Sequence, residues 1–385
     1  MACRILIVDD EPDLEHLVRQ KFRQQVREGR FEFAFAHNGE EALDLLQNDA
    51  TIDIVLSDIN MPVMDGLTLL TKLNEVNRLL KTIMVSAYGD MQNIRTAMNR
   101  GAFDFVTKPI DFHDLEITIN KTLDQVLALK QAVQVREELS AIQQELGIAA
   151  RIQQAILPKK FPPFPGRKEF SIFAEMIPAR EVGGDFYDFF LIDDERLGFV
   201  IGDVSGKGVP AAIFMAVSRT LLRATALQGL AAGDCLQYTN KVLSAQSNAA
   251  MFVTIFYGIL HTRTGEVDFS IGGHNPPYVF SQDQVREVAA SGGTIVGIMD
   301  HAHYQTERLK LQPGEAILLF TDGVTEAEEI GGGQFSEQRL ETALRSIGGQ
   351  PLEEVARSII SDVKAFSTGA PQSDDITLLA VRYLG

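Results

Sequence analysis

The sequence has no tryptophan and only two cysteines, Cys3 and Cys235, in 385 residues. Two distant thiols cannot build a disulfide framework, and such sparse cysteine fits a reducing compartment. Long apolar runs are missing as well: none approaches the ~20 residues needed to span a bilayer. Nor is there a segment rich in Lys and Arg. These number 35 against 52 Asp and Glu, a formal net charge of -17. So acidic a chain repels phosphate backbones and anionic lipid, so neither nucleic acid nor membrane is an expected partner. The sequence enters a strand-like run at once, without a charged leader and cleavable apolar segment. The expectation is a cytoplasmic protein.

Apolar residues make up 45% and charged residues 23%, an ordinary soluble composition, and the length calls for two or three domains. Over residues 1–122 strand and helix signals alternate: "RILIV", "FEFAFA", "IDIVLS", "TIMVS" and "FDFVT" are strand-like, with helical apolar spacing between them. Five such units predict a doubly wound α/β domain on a five-stranded parallel sheet. Residues 123–158 continue a long helical pattern that starts near residue 115. Ile119, Val126 and Val133 follow one heptad lane, and Val135, Leu139, Ile142, Leu146, Ala149 and Ile156 follow another. The lane shifts near 130–136, so the seam is not one unbroken coiled coil. It reads either as a dimerising, signal-carrying helix or as a helix packed along its own domains. "LPKKFPPFPG" closes it as a stiff boundary. Residues 159–385 mix strand runs with Gly-rich turns and helical patterns at 209–227, 233–246, 336–346 and 352–366, an α+β domain.

Carboxylates stand at strand ends in both halves. Adjacent like charges ~4 Å apart at an effective dielectric of ~20 repel by about 4 kcal/mol, so such placements imply a cation. In the first half Asp9 and Asp10 follow strand one, Asp58 ends strand three, Ser86 strand four and Lys108 strand five. In an open parallel sheet these positions converge at one edge. Three carboxylates suit a magnesium ion, and a hydroxyl and an ammonium suit phosphoryl oxygens.

In this part the chain resembles the response-regulator receiver family: "IVDDE", "LSDINMPVMDG", "VSAYG" and "VTKP" follow that family's signature in order. The resemblance implies that Asp58 accepts phosphate from a histidine kinase. It implies that Asp9, Asp10, Asp58 and the Asn60 carbonyl hold magnesium, and that Ser86 and Lys108 contact the phosphoryl group. Phe105 takes the switch-aromatic position, where tyrosine is commoner.

The second half repeats the pattern. Asp185 lies in "EVGGDFYDFF", Asp203 in "FVIGDVSGKGVPAA", Asp322 in "ILLFTDGVTEA" and Asp374 in "SDDIT". Four aspartates at strand edges with glycines beside them make an all-oxygen site, right for magnesium or manganese and poor for zinc. Lys207 in "GDVSGKG" does not complete a nucleotide-binding P-loop pattern, and His274 in "GHNPP" reads as stabilising a turn. These motifs, with "AARIQQAILP" ahead of them, resemble the metal-dependent PPM (type 2C) serine/threonine phosphatases, in their SpoIIE-like branch. The resemblance implies an α-β-β-α sandwich and two manganese or magnesium ions on Asp185, Asp203, Asp322, Asp374 and the Val204 carbonyl. Arg180 matches an arginine that grips substrate phosphate in some members. Asp375 is expected to orient the site as a neighbour of its ligands.

The expectation is thus a two-component response regulator whose output is a phosphoprotein phosphatase controlled from Asp58. By resemblance, its substrate is a phosphorylated anti-anti-sigma (STAS) protein; the heptad spacing of the linker helix leads to the expectation of a homodimer. The alternative is a catalytically inactive phosphatase fold acting as an adaptor, but no acidic motif is missing. A DNA-binding output lacks support, since neither a helix-turn-helix segment nor a basic face follows the receiver.

Overall fold

The computed structural model describes residues 3–76, 79–87, 89–246 and 251–385, and its contacts divide the chain into two compact units, Met1–Ile142 and Gln143–Gly385. The first unit runs β1 (Cys3–Val8), α1 (Pro12–Lys21), α2 (Arg23–Arg27), β2 (Phe31–Ala36), α3 (Gly39–Asn48), β3 (Ile54–Asp58), α4 (Gly66–Val76), β4 (Lys81–Ala87), α5 (Met91–Asn99), β5 (Asp104–Lys108) and into α6 (Phe112–Ile156). The sheet order is β2-β1-β3-β4-β5, all parallel. Alternate residues of β1 serve opposite faces, Ile5 and Ile7 in one buried cluster and Leu6 and Val8 in another. That is why the strand reads as an unbroken apolar run. Strand order reverses beside β1, which opens a crevice at the carboxyl ends of β1 and β3.

The long helix resolves the two heptad lanes. Leu115, Ile119 and Val126 are buried in the core of the first unit with Phe22 and Phe31. Lys121 pairs with Asp104 at 2.8 Å and Lys130 with Asp53 at 2.6 Å. From residue 131 to 145 every residue is exposed, a stretch of roughly 22 Å of helix. Ile119 and Val126 therefore belong to a domain core, while Val135, Leu139 and Ile142 face solvent at 63%, 54% and 54% exposure. The lane shifts where the helix leaves the sheet it packs on.

In the second unit β6 (Phe170–Ile177), β7 (Phe186–Leu191) and β8 (Arg196–Val204) precede α7 (Val209–Ala226) and α8 (Ala232–Gln246). Then come β9 (Val253–His261), β10 (Glu266–Gly272), β11 (Tyr278–Phe280), β12 (Val285–Glu287), β13 (Glu307–Lys310), β14 (Ala316–Phe320), α9 (Asp322–Thr325), α10 (Ser336–Ile347), α11 (Leu352–Phe366) and β15 (Ile376–Tyr383). The strands form two antiparallel sheets, β13-β10-β9-β8-β7 and β12-β11-β14-β15-β6. Along β14 and β15 the pleat divides the side chains. Ile317, Leu319, Leu379 and Val381 join the core shared with the other sheet and with Met215 and Leu222 of α7. Leu318, Phe320, Leu378 and Ala380 meet Leu344 of α10 and Ile359 of α11. The layers are helix, sheet, sheet, helix.

These placements assign the two lanes different energies. Ile119→Ala is expected to destabilise the first unit by about 2–4 kcal/mol, as for a buried large-to-small change. Leu139→Ala in the exposed stretch stays within about 0.5 kcal/mol. Urea unfolding of both variants measures this, and equal losses would contradict the division.

Two candidate acidic sites

The first site lies where β1 and β3 end. Asp9 and Asp58 are buried at 5% and 7% exposure, and Asp10 is exposed. Ligand oxygens of Asp9, Asp10 and Asp58 all lie within 4.8 Å of one another. The Lys108 ammonium, at the end of β5, reaches Asp58 at 2.8 Å, Glu11 at 3.0 Å and Asp9 at 3.1 Å. Burial by itself depresses the Lys108 pKa, but hydrogen bonds to these three carboxylates outweigh it and hold the group above its usual value. Burial raises the Asp9 pKa, against the Glu11 amide and Lys108, which lower it. Asp58 Oδ1 accepts from the Ile59 amide at 2.7 Å. Ser86 ends up fully buried at the same edge of the sheet, its hydroxyl without a partner among the described residues. Asn60 is exposed in the loop after β3, and Phe105 on β5 is 37% exposed. Tyr88 of "VSAYG" lies outside the described residues.

The second site is assembled by strand register. Phe186 of β7 pairs with Gly202 of β8, which sets Asp185, just before β7, beside Asp203 near the end of β8. In the other sheet Phe320 of β14 pairs with Leu378 of β15. Asp322, after β14, therefore meets Asp374 and Asp375, before β15. The four sequence-predicted aspartates thus come from the ends of two antiparallel strand pairs.

Asp185 is 1% exposed, and its Oδ2 accepts hydroxyl hydrogen bonds from Thr321 at 2.7 Å and Thr377 at 2.6 Å. Its pKa is raised well above the carboxylate range by burial, then by Asp203 and Asp375. Burial, followed by the charge of Asp322, pushes Asp203 up to about 7, against a hydrogen bond from Asp185. Asp322 is raised by burial and by Asp374 and Glu326, while Lys207 lowers it. Asp374 is half-exposed and pairs with Lys207 at 2.9 Å. Asp375, buried at 6% exposure, accepts from the amides of Ala179 at 2.8 Å, Gly184 at 2.7 Å and Asp185 at 3.2 Å. Its carboxylate is spent on shaping the loop before β7. A Cβ at Gly183 would lie 2.2 Å from Asp375 Oδ2, so no larger residue fits there. The Val204 carbonyl faces Gly184 across the same turn. Arg180 is exposed and makes no ion pair among the described residues. His274 is bonded through Nδ1 to Thr254 at 2.9 Å, and burial pushes its pKa down to about 4. It is a neutral packing residue.

Sequence reasoning missed three contributors. Thr321 and Thr377 anchor Asp185. Gln153, at the end of α6 and 6% exposed, donates to the Gly183 carbonyl at 2.6 Å and accepts from the Gly183 amide at 3.1 Å. Thr321 directly precedes Asp322 and Gln153 lies in "AARIQQAILP", but neither position signals these long-range contacts.

The donor sets fit divalent cations. Both consist of oxygen, which suits hard cations, and burial followed by neighbouring carboxylates raises Asp185, Asp203 and Asp322. The two differ in spacing: among the described residues only the Asp9–Asp10–Asp58 group brings three acidic ligand atoms within 4.8 Å. Asp185, Asp203, Asp322 and Asp374 are electrostatically coupled but more widely set.

A parallel sheet with an acidic crevice, joined by a helix to a two-sheet sandwich with strand-end aspartates, defines a class: a receiver domain coupled to a PPM-type phosphatase domain. Comparison with known proteins bears this out. Residues 5–120 match the response regulator receiver domain, and residues 193–384 match Stage II sporulation protein E (SpoIIE). Protein IcfG of Synechocystis is 31% identical over 65% of this chain and 43% of its own length. Phosphoserine phosphatase RsbU of Bacillus subtilis is 30% identical over 57% of this chain and 65% of its own. The chain therefore spans less than two thirds of either relative. Chemotaxis protein CheY of Bacillus subtilis is 36% identical over 32% of this chain and its full length. The SiaA-PP2C domain of Pseudomonas aeruginosa superposes with a TM-score of 0.58 at 25% identity, covering 64% of this chain and 98% of that one. The chain belongs to the response-regulator receiver family, with a SpoIIE-type PPM phosphatase domain as its second unit. No helix among the described residues is long and apolar enough to cross a membrane.

The raised Asp203 pKa has a measurable sign. With divalent ions chelated, the folded unit keeps a proton that the unfolded chain releases near pH 4. Stability from this group is fully present below about pH 4 and is lost as pH rises through about 7. Urea unfolding in chelator is expected to weaken from pH 5 to pH 8, less steeply in Asp203→Asn. Identical slopes in the two proteins would contradict the assignment.

Proposed function

We infer that the chain is a two-component output protein whose receiver controls a metal-dependent serine/threonine protein phosphatase. The observation that carries this reading is the cluster of Asp185, Asp203, Asp322 and Asp374 at the ends of two strand pairs, with three of the four raised in pKa by burial and by one another. When bound, two manganese or magnesium ions would supply an activated water and neutralise phosphate oxygens. The chain's own residues do the positioning. Thr321 and Thr377 fix one oxygen of Asp185, Asp375 shapes its loop, and the Val204 carbonyl offers a neutral ligand. Arg180, exposed and without an ion pair among the described residues, is placed to meet a substrate phosphate. The complete carboxylate set favours an enzyme over an inactive adaptor.

In the receiver, Asp58 would take phosphate from a histidine kinase, with magnesium on Asp9, Asp10, Asp58 and the Asn60 carbonyl. The buried Ser86 hydroxyl, Lys108 and the half-exposed Phe105 would register the change. The helix α6 is continuous from the receiver core to Gln153, and Gln153 grips the loop that carries Asp185. This gives control a physical route. Exposed Val135, Leu139 and Ile142 on α6 support self-association of the helix. Likeness to the SpoIIE branch and to a phosphoserine phosphatase supports a phosphorylated STAS-type protein as substrate.

The test is phosphate release from phosphoserine STAS proteins with manganese present. Asp203→Asn is expected to lower turnover by about a hundredfold or more, the scale of metal-based stabilisation of the reacting phosphate. Acetyl phosphate is expected to change the rate in the natural sequence but not in Asp58→Asn. No release from any phosphoprotein, with or without acetyl phosphate, would leave only the adaptor reading.

A further inference from the structure

Lys207 stands in the turn between β8 and α7, in "GDVSGKG". Gly206 and Gly208 flank it with φ of 87° and 77°, a backbone region that side chains other than glycine rarely enter. The turn thus presents the lysine at a set place, close in sequence to Asp203. Its ammonium lies 2.9 Å from Asp374 Oδ2 and also donates to the Ser373 carbonyl. Among the described residues it is the one cationic side chain paired with any of Asp185, Asp203, Asp322 and Asp374. Its charge opposes that of Asp374 at Asp322. Both partners are partly open to water, at 39% and 37% side-chain exposure. A contact of that kind holds a carboxylate in place yet exchanges readily.

We propose that Lys207 is an internal counter-cation: it holds Asp374 in the metal-free chain and gives that carboxylate up when a divalent ion is loaded there. The inference rests on the reading of Asp374 as a metal ligand. Lys207 is thereby a positioning residue that sets how much divalent ion the domain needs. Its ammonium competes with the more weakly held of the two ions.

Calorimetric titration of the full chain with Mn2+ tests this, since the receiver's own ion contributes equally to every variant. Lys207→Gln is expected to bind the weaker ion of the second unit about two- to fivefold more tightly, the range set by an exposed ion pair. Lys207→Arg, which keeps the charge, retains the natural affinity. In chelator, Lys207→Gln is expected to melt at a lower temperature than the natural sequence, with the difference closing at saturating Mn2+. Unchanged or weaker Mn2+ binding in Lys207→Gln, with circular dichroism showing a folded chain, overturns the proposal alone. If Asp374→Asn binds as many ions as the natural sequence, the ligand role of Asp374 falls and the counter-cation role with it.

Discussion

Carboxylates held side by side away from water repel one another, and a folded chain can keep them there only by supplying positive charge or by leaving them protonated. Both units of this protein are organised around that constraint, and they meet it differently. The receiver crevice has a lysine at its centre: Lys108 touches Asp9, Glu11 and Asp58 at once. Among the described residues the phosphatase-type site has no such central cation. Its aspartates face one another, and the one paired lysine sits at the rim on Asp374. Burial first, and then the neighbouring carboxylates, raise the pKa values of Asp185, Asp203 and Asp322. A site in that state is short of charge, and divalent cations are the natural remedy.

What keeps the second cluster together without a central cation is a set of neutral and backbone donors. Two threonine hydroxyls converge on one oxygen of Asp185, and three backbone amides converge on Asp375. Hydrogen bonds to ionised carboxylates are stronger than neutral ones, so this arrangement offsets part of the burial cost. It also separates two adjacent aspartates by task. Asp375 is consumed by the loop before β7, whereas Asp374 remains half-exposed with an exchangeable partner.

Much of this was legible in the sequence, because strands buried on both faces and strand-end aspartates are local signals. "AILLF" and "ITLLAV" read as strands since β14 and β15 lie between two cores. The short strands β11, β12 and β13, only three or four residues long, carry too little pattern to be read. The division of labour between Asp374 and Asp375 was expected on resemblance, but its cause, three distant amides, is tertiary. Thr321, Thr377 and Gln153 were invisible for a similar reason. Each acts through a partner far along the chain, and a threonine or glutamine alone signals nothing. The first heptad lane was legible as apolar spacing but not as to what covers it, since Ile119 and Val126 pack on their own sheet.

The helix α6 shows how local stiffness can serve control. Its first turns are fixed in the receiver core and its last turns hold Gly183 through both backbone groups, with exposed helix between. A flexible linker of the same length would tether two domains but could not pass a rotation or a displacement, because its end-to-end vector averages over many conformations. Helix α6 is continuous from Phe112 to Ile156. At its far end the contact is a paired hydrogen bond to the backbone of a glycine that admits no side chain, and that glycine lies against Asp375 and two residues ahead of Asp185. The Gln153 side chain thus ties the last turns of α6 to the Gly183 backbone.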